Sequence, residues 1–150
     1  MRKKGAGFEY REAYYKDLMR AYREALAMAD VGARQKDVVA IAVGLPASRF
    51  WVSETRAYKV MGVLMRGRKV RERVLGSMRE RTREMYAEIY RRVMRRMRRT
   101  GECRWDAVVA VCGEAAPRFY IGVGSFLVFK YRYEKEWFER RLRNLPHAAP

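Results

Sequence analysis

Apolar residues return every three to four positions along two long stretches of the chain. Between Phe8 and Val31, the residues Tyr15, Leu18, Tyr22, Leu26 (with Ala25) and Ala29 share one helical face. Gly32 then stands where a helix end accepts a positive φ. From Ser77 to Arg99 the same spacing recurs in Met78, Thr82, Met85, Ile89, Val93 and Met97, with Gly101 just past the end. Ser77 followed by Glu80 reads as a capping box. Two shorter runs, Asp37–Val43 and Asp106–Cys112, are apolar all round and end at Gly44 and Gly113. They predict short helices buried between neighbours. Pro46 and Pro117 break the chain, and Arg49–Val52 and Arg118–Ile121 read as extended. Ser53 is a good N-cap for a helix over 54–66. A further helix is expected over 126–145 with Ser125 as its cap, set back by Gly122-Val-Gly124; a β-hairpin about Gly122–Gly124 is the alternative. Residues 68–76 read as helical, interrupted at Gly67 and Gly76.

The pattern repeats. The 21 residues Gly32–Val52 align without a gap on Gly101–Ile121, 69 positions later, with seven identities: Gly, Asp, Val, Gly, Ala, Arg and Phe. A period this long, present twice, reads as a duplication. The expected fold is therefore all-α: two tri-helical, helix-turn-helix-like repeats, 8–66 and 77–145, in a single compact domain over 1–150. Residues 146–150 are expected to form a disordered tail.

Composition sharpens this picture. The chain has 150 residues, 49% of them hydrophobic and 13% aromatic, enough for a packed core and unlike a disordered segment. No apolar run approaches the roughly 20 residues a membrane span needs. Neither does a secretory signal follow the basic start, so the expected location is the cytoplasm and no membrane partner is expected. Lys and Arg number 34 against 17 Asp and Glu, a formal net charge of +17. Residues 54–100 hold 16 of the bases and only 5 of the acids. Arginine keeps its charge and grips phosphate through paired N–H bonds, so so dense a basic stretch points to a polyanion partner.

Ala40, Gly44, Leu45 and Phe50 have the spacing of a helix-turn-helix, in which a small residue in the first helix lets the second pack close and glycine forms the turn. Over about 30 residues the first repeat thus resembles helix-turn-helix DNA-binding proteins in general. Both repeats depart from it: in the first, Pro46 and the extended Arg49–Val52 make the turn longer than the usual run of about three or four residues, and the second has Val109 for the alanine and Glu114 for Leu45. The resemblance implies a tri-helical DNA-binding unit whose second helix presents side chains to a major groove.

Candidate nucleic-acid contacts follow from placement. Arg56, Lys59 and Arg66 lie along the helix after the turn. The cluster Arg68, Lys69, Arg71 and Arg73 and the run Arg91, Arg92, Arg95, Arg96, Arg98 and Arg99 would hold phosphates without reading sequence. The repeated pairs Asp37 with Arg49, and Asp106 with Arg118, read as structural bridges, and Phe50 and Phe119 as core. Alternatively, Arg49 and Arg118 reach phosphates while Trp51 and Tyr120 stack on bases. Nothing in the spacing points to catalysis, a metal or a cofactor: His147 is the one histidine and Cys103 and Cys112 are the two cysteines, nine apart. The expectation is a non-enzymatic protein that binds nucleic acid, duplex DNA foremost, in a regulatory role such as transcription regulation or an architectural one. Two alternatives stand beside it: an interaction protein that self-associates as a homodimer or docks an acidic partner, and an RNA-binding protein that stacks single strands on Trp51, Trp105 or Tyr120.

Overall fold

The computed structural model describes residues 6–145. Among them are seven helices: α1 (Ala6–Met28), α2 (Gln35–Val43), α3 (Glu54–Leu64), α4 (Arg68–Gly76), α5 (Glu80–Thr100), α6 (Arg104–Cys112) and α7 (Val123–Arg143). The protein is all-α; the described residues contain no strand, and the extended pieces meet in a single β-bridge, Ala47 with Ala116.

Local chemistry sets the helix ends. The Ser53 hydroxyl accepts from the Arg56 amide at 3.1 Å and starts α3. Gly101, at φ 72°, closes α5 and donates to the Met97 carbonyl. The break between α3 and α4 is Gly67, whose φ of 148° is open to glycine and strained for other residues. Two expected starts are corrected. Helix α5 begins at Glu80 with Arg79 as N-cap, because the Ser77 hydroxyl is occupied at the end of α4, donating to the Val74 carbonyl at 2.7 Å. Helix α7 begins at Val123 with Gly122 as N-cap, so neither a hairpin nor a Ser125 cap forms. Gly122 stands 69 residues after Ser53 and holds the same N-cap position, so Gly122-Val-Gly124 does not set the helix start back. Phe126 and Tyr133, two helical turns apart, are the buried residues of α7.

The chain divides into two compact units, Met1–Ala42 with Gly122–Pro150, and Val43–Ile121. Their boundaries do not follow the repeats. The first unit holds α1 and nearly all of α2 from the first repeat with α7 from the second. The second unit holds α5 and α6 from the second repeat with α3 from the first, and adds α4.

In the first unit α1 and α7 run antiparallel. Tyr15 stacks on Tyr133 at 4.1 Å between centroids, Tyr14 meets Phe129 at 5.2 Å and Tyr22 meets Phe126 at 6.5 Å. The Tyr15 hydroxyl donates to Glu134 at 2.8 Å, and burial together with that carboxylate holds its pKa well above the ordinary phenol value. Asp17 is the buried charged residue of α1, and Arg20 answers it at 2.8 Å.

In the second unit Ala57, Met61 and Leu64 of α3, Tyr86, Ile89 and Val93 of α5, and Ala107, Val108, Val111 and Cys112 of α6 form the core. Phe50 and Phe119 are fully buried within it, as their repeated position predicts. The two Pro-containing turns pair here. Ala47 and Ala116 exchange both amide–carbonyl bonds at 3.0 Å. The Phe50 amide donates to the Cys112 carbonyl at 3.1 Å, and the Phe119 amide to the Val43 carbonyl at 3.0 Å. Each bond has a counterpart 69 residues away, so the last carbonyl of each short helix is satisfied by the other repeat's phenylalanine amide. The bridging alanines are 2% exposed and leave no room for a longer side chain. Replacing Ala116 by Leu should therefore destabilise the protein by about 1–3 kcal/mol in urea unfolding, whereas the same change at exposed Ala115 should have little effect.

Candidate nucleic-acid interface

Every basic residue singled out by the sequence falls in the second unit, which carries 19 Lys and Arg against 8 Asp and Glu. Helix α5 explains the concentration. Its buried stripe, Tyr86, Ile89 and Val93, turns toward the core and leaves Arg91, Arg95 and Arg99, spaced four apart, on an outer row. Arg92 and Arg96 form the row beside it. These five arginines, with Glu114 from the turn after α6, line a groove of about 300 Å³.

The five are not equivalent. Arg92 is built into the wall: it bonds Glu88 at 2.8 Å, Glu114 at 3.3 Å and the Ala115 carbonyl at 2.9 Å, and its guanidinium lies 5.0 Å from the Phe50 ring centre. Arg96 makes a two-point pair with Glu102 at 2.8 and 3.2 Å, which holds the Glu102 carboxyl below its ordinary range. Arg91 pairs with Glu88 at 2.6 Å and is more than half exposed. Arg95 and Arg99, both exposed, have no hydrogen bond or ion pair among the described residues. Fixed arginines thus shape the groove, while Arg95 and Arg99, whose donors are not hydrogen-bonded, edge it, Arg99 adding to the pull that Arg96 exerts on Glu102.

Burial disfavours the Glu88 charge, but the bonds from Arg91 and Arg92 outweigh it and hold its carboxyl below the ordinary 4.5. A depressed folded-state pKa means that the pairs' stabilisation is complete above about pH 4.5 and is lost as pH falls through the folded value. Glu88→Gln should accordingly flatten the acid side of a stability–pH curve measured by urea unfolding.

The other candidates spread over α3 and α4. Arg56, Lys59 and Arg66 are exposed on or just beyond α3, and Arg68, Lys69 and Arg73 are exposed on α4. Arg68 pairs with Glu72 at 2.9 Å. Arg71 joins the helices instead, donating to the Tyr90 hydroxyl at 2.7 Å and the Leu64 carbonyl at 3.3 Å, its guanidinium 4.8 Å from the Tyr90 ring centre. Arg98 turns back to the Met94 carbonyl of its own helix.

The expected bridge between Asp106 and Arg118 is not made. Arg118 reaches Glu84 at 3.7 Å, and Asp106 has no ion pair among the described residues. Arg49 donates to the Phe50 and Val52 carbonyls of its own segment and lies over Trp51 at 5.2 Å. The aromatic candidates also have neighbours: Tyr120 stacks on Phe50, and Trp105 meets the edge of Tyr58, which lies beneath Arg104. Sequence reading missed Glu114, the one acid on the groove wall, and Arg104, whose guanidinium packs on Tyr58 against Gly62. Both follow from packing between helices, which no local spacing announces.

Cys103 is exposed and Cys112 buried, both as thiols, and burial pushes Cys112 up to about 11. Among the described residues no three His, Cys, Asp or Glu side chains gather as a metal site, and no helix is long and apolar enough to cross a membrane. His147 and the expected tail over 146–150 lie outside the described residues. No protein-family model matches the chain, and neither the curated proteins nor the solved structures include a match.

Proposed function

We propose that the second unit binds nucleic acid by holding backbone phosphates along the arginine groove of α5, with duplex DNA as the ligand and a regulatory or architectural role in the cytoplasm. The observation that carries the reading is the arginine lining of that groove: Glu88, Glu102 and Glu114 pair with Arg91, Arg92 and Arg96, and Arg95 and Arg99 make no hydrogen bond or ion pair among the described residues. A phosphate entering it meets Arg95 and Arg99, whose donors no carboxylate occupies, beside a wall of arginines fixed by Glu88, Glu102 and the Ala115 carbonyl. The exposed cations of α3 and α4 add further phosphate contacts. The resemblance of the first repeat to helix-turn-helix proteins gives Arg56 and Lys59 the place of base-reading residues on α3. The reading includes no chemistry on the ligand: the unit offers charge and shape.

Fluorescence anisotropy with labelled duplex DNA, single-stranded DNA and RNA tests it. Phosphate binding predicts that log affinity falls linearly with log salt, and six to ten contacts predict a loss of ~10³–10⁵ between roughly 50 and 200 mM. Duplex should bind more tightly than either single strand. Absence of binding at low salt would end the nucleic-acid reading; preference for single strands would replace duplex by RNA or single-stranded DNA.

A further inference from the structure

The first unit leaves a second surface unexplained. Helix α7 buries Phe126 and Tyr133 and exposes, on another side, Val128, Tyr131, Phe138 and Leu142, with Leu145 just beyond its C-cap; each is half exposed or more. With Lys135 these residues fall at 128, 131, 135, 138, 142 and 145. The steps are three, four, three, four and three, the a/d spacing of a coiled-coil seam.

We infer that this face of α7 pairs antiparallel with α7 of a second copy of the chain. Charge selects both partner and direction. Taking Val128 as position a puts Arg132 and Glu139 at e, and Glu134 and Arg141 at g. In an antiparallel pair e faces e of the other copy, and g faces g. Arg132 then meets the second copy's Glu139, and Glu134 meets its Arg141, each pair occurring twice. A parallel pair would set g against the next e, placing Glu134 beside Glu139 of the other copy, two like charges. The antiparallel layers are Val128 with Leu145, Tyr131 with Leu142, and Lys135 with Phe138. The last sets an ammonium against a ring, a contact that fixes register where an all-apolar seam would slide. Glu134 is prepared for this role: its bonds from Tyr15 and Lys130 both use Oε1, leaving Oε2 for Arg141 of the second copy. The inference is independent of the nucleic-acid reading, since the seam lies on α7 and the arginine groove on α5.

Sedimentation equilibrium of the full chain over roughly 1–100 µM should give a monomer–dimer equilibrium. Phe138→Glu should raise its dissociation constant by about thirtyfold or more, with helical circular dichroism unchanged because Phe138 is exposed in the single chain. Glu139→Arg and Arg132→Glu should each weaken the dimer, and combining them should restore it. Direction is read from Glu139→Arg alone: strengthening would show the parallel pair and overturn the antiparallel one. A wild-type monomer at every concentration would overturn the inference outright, as would a dimer indifferent to Phe138→Glu.

Discussion

Replacing Arg95 and Arg99 together by alanine should weaken duplex binding roughly thirtyfold at ~0.15 M salt and lower the slope of log affinity against log salt by about two. The figure assumes one phosphate contact for each. The variant should unfold close to the wild-type temperature, because neither guanidinium makes a hydrogen bond or ion pair among the described residues, and the pull of Arg99 on exposed Glu102 is secondary to that of Arg96. Net charge alone would also weaken binding, so the comparison needs a variant that removes the same charge elsewhere. Arg79→Ala with Arg81→Ala serves, both residues being exposed at the start of α5 and outside the groove. Equal losses in the two double variants would mean that a diffuse field, and not the groove, holds the ligand. Arg92→Ala should behave differently from either. It removes the links to Glu88, Glu114 and the Ala115 carbonyl, so stability and affinity should fall together.

Truncating Phe119 to alanine should destabilise the protein by about 3–5 kcal/mol in urea unfolding, a large part of the total stability of a domain this size. The ring is 1% exposed, and its backbone amide closes one of the bonds between the paired turns. Removing it leaves a cavity that the turns cannot fill without giving up that pairing. Phe50→Ala should be comparably severe and reach further. Its ring stacks on Tyr120 and supports the Arg92 guanidinium, so the wall of the arginine groove loosens with it. The two effects should not add, because both rings serve one set of paired turns. A loss below ~1 kcal/mol at either position would contradict the packing described for the second unit.

The chain's periodicity announces its helices but not their companions. The apolar stripes of α1 and α5 and the short apolar runs of α2 and α6 are plain in the sequence, because burial on one face writes a period into the residues. Which stripe meets which leaves no such mark. The third helix of each repeat sits in a compact unit with helices of the other repeat, an exchange that contiguous reading of 8–66 and 77–145 does not contain. Caps were ambiguous for a related reason. Ser77 and Glu80 have capping-box spacing, yet the same hydroxyl can finish the preceding helix, and Val74 offers it a carbonyl.

The site divides in the same way. The four-residue spacing of Arg91, Arg95 and Arg99 was legible as one helical row. That Glu114 would stand opposite them was not, nor that Arg71 and Arg92 would be bound internally by Tyr90 and the Ala115 carbonyl. Those partners lie 19 and 23 residues away and arrive only through packing between helices.

Phosphates seated on the α5 arginines would shield those guanidiniums from reagents. Arginine-specific chemical modification, read residue by residue by mass spectrometry with and without saturating duplex DNA, measures that shielding. Duplex should protect Arg95 and Arg99 while leaving Arg79, Arg81 and the Arg140–Arg143 end of α7 as reactive as in the protein alone. Protection confined to α7, or none at saturating DNA, would show that the phosphates do not sit on α5.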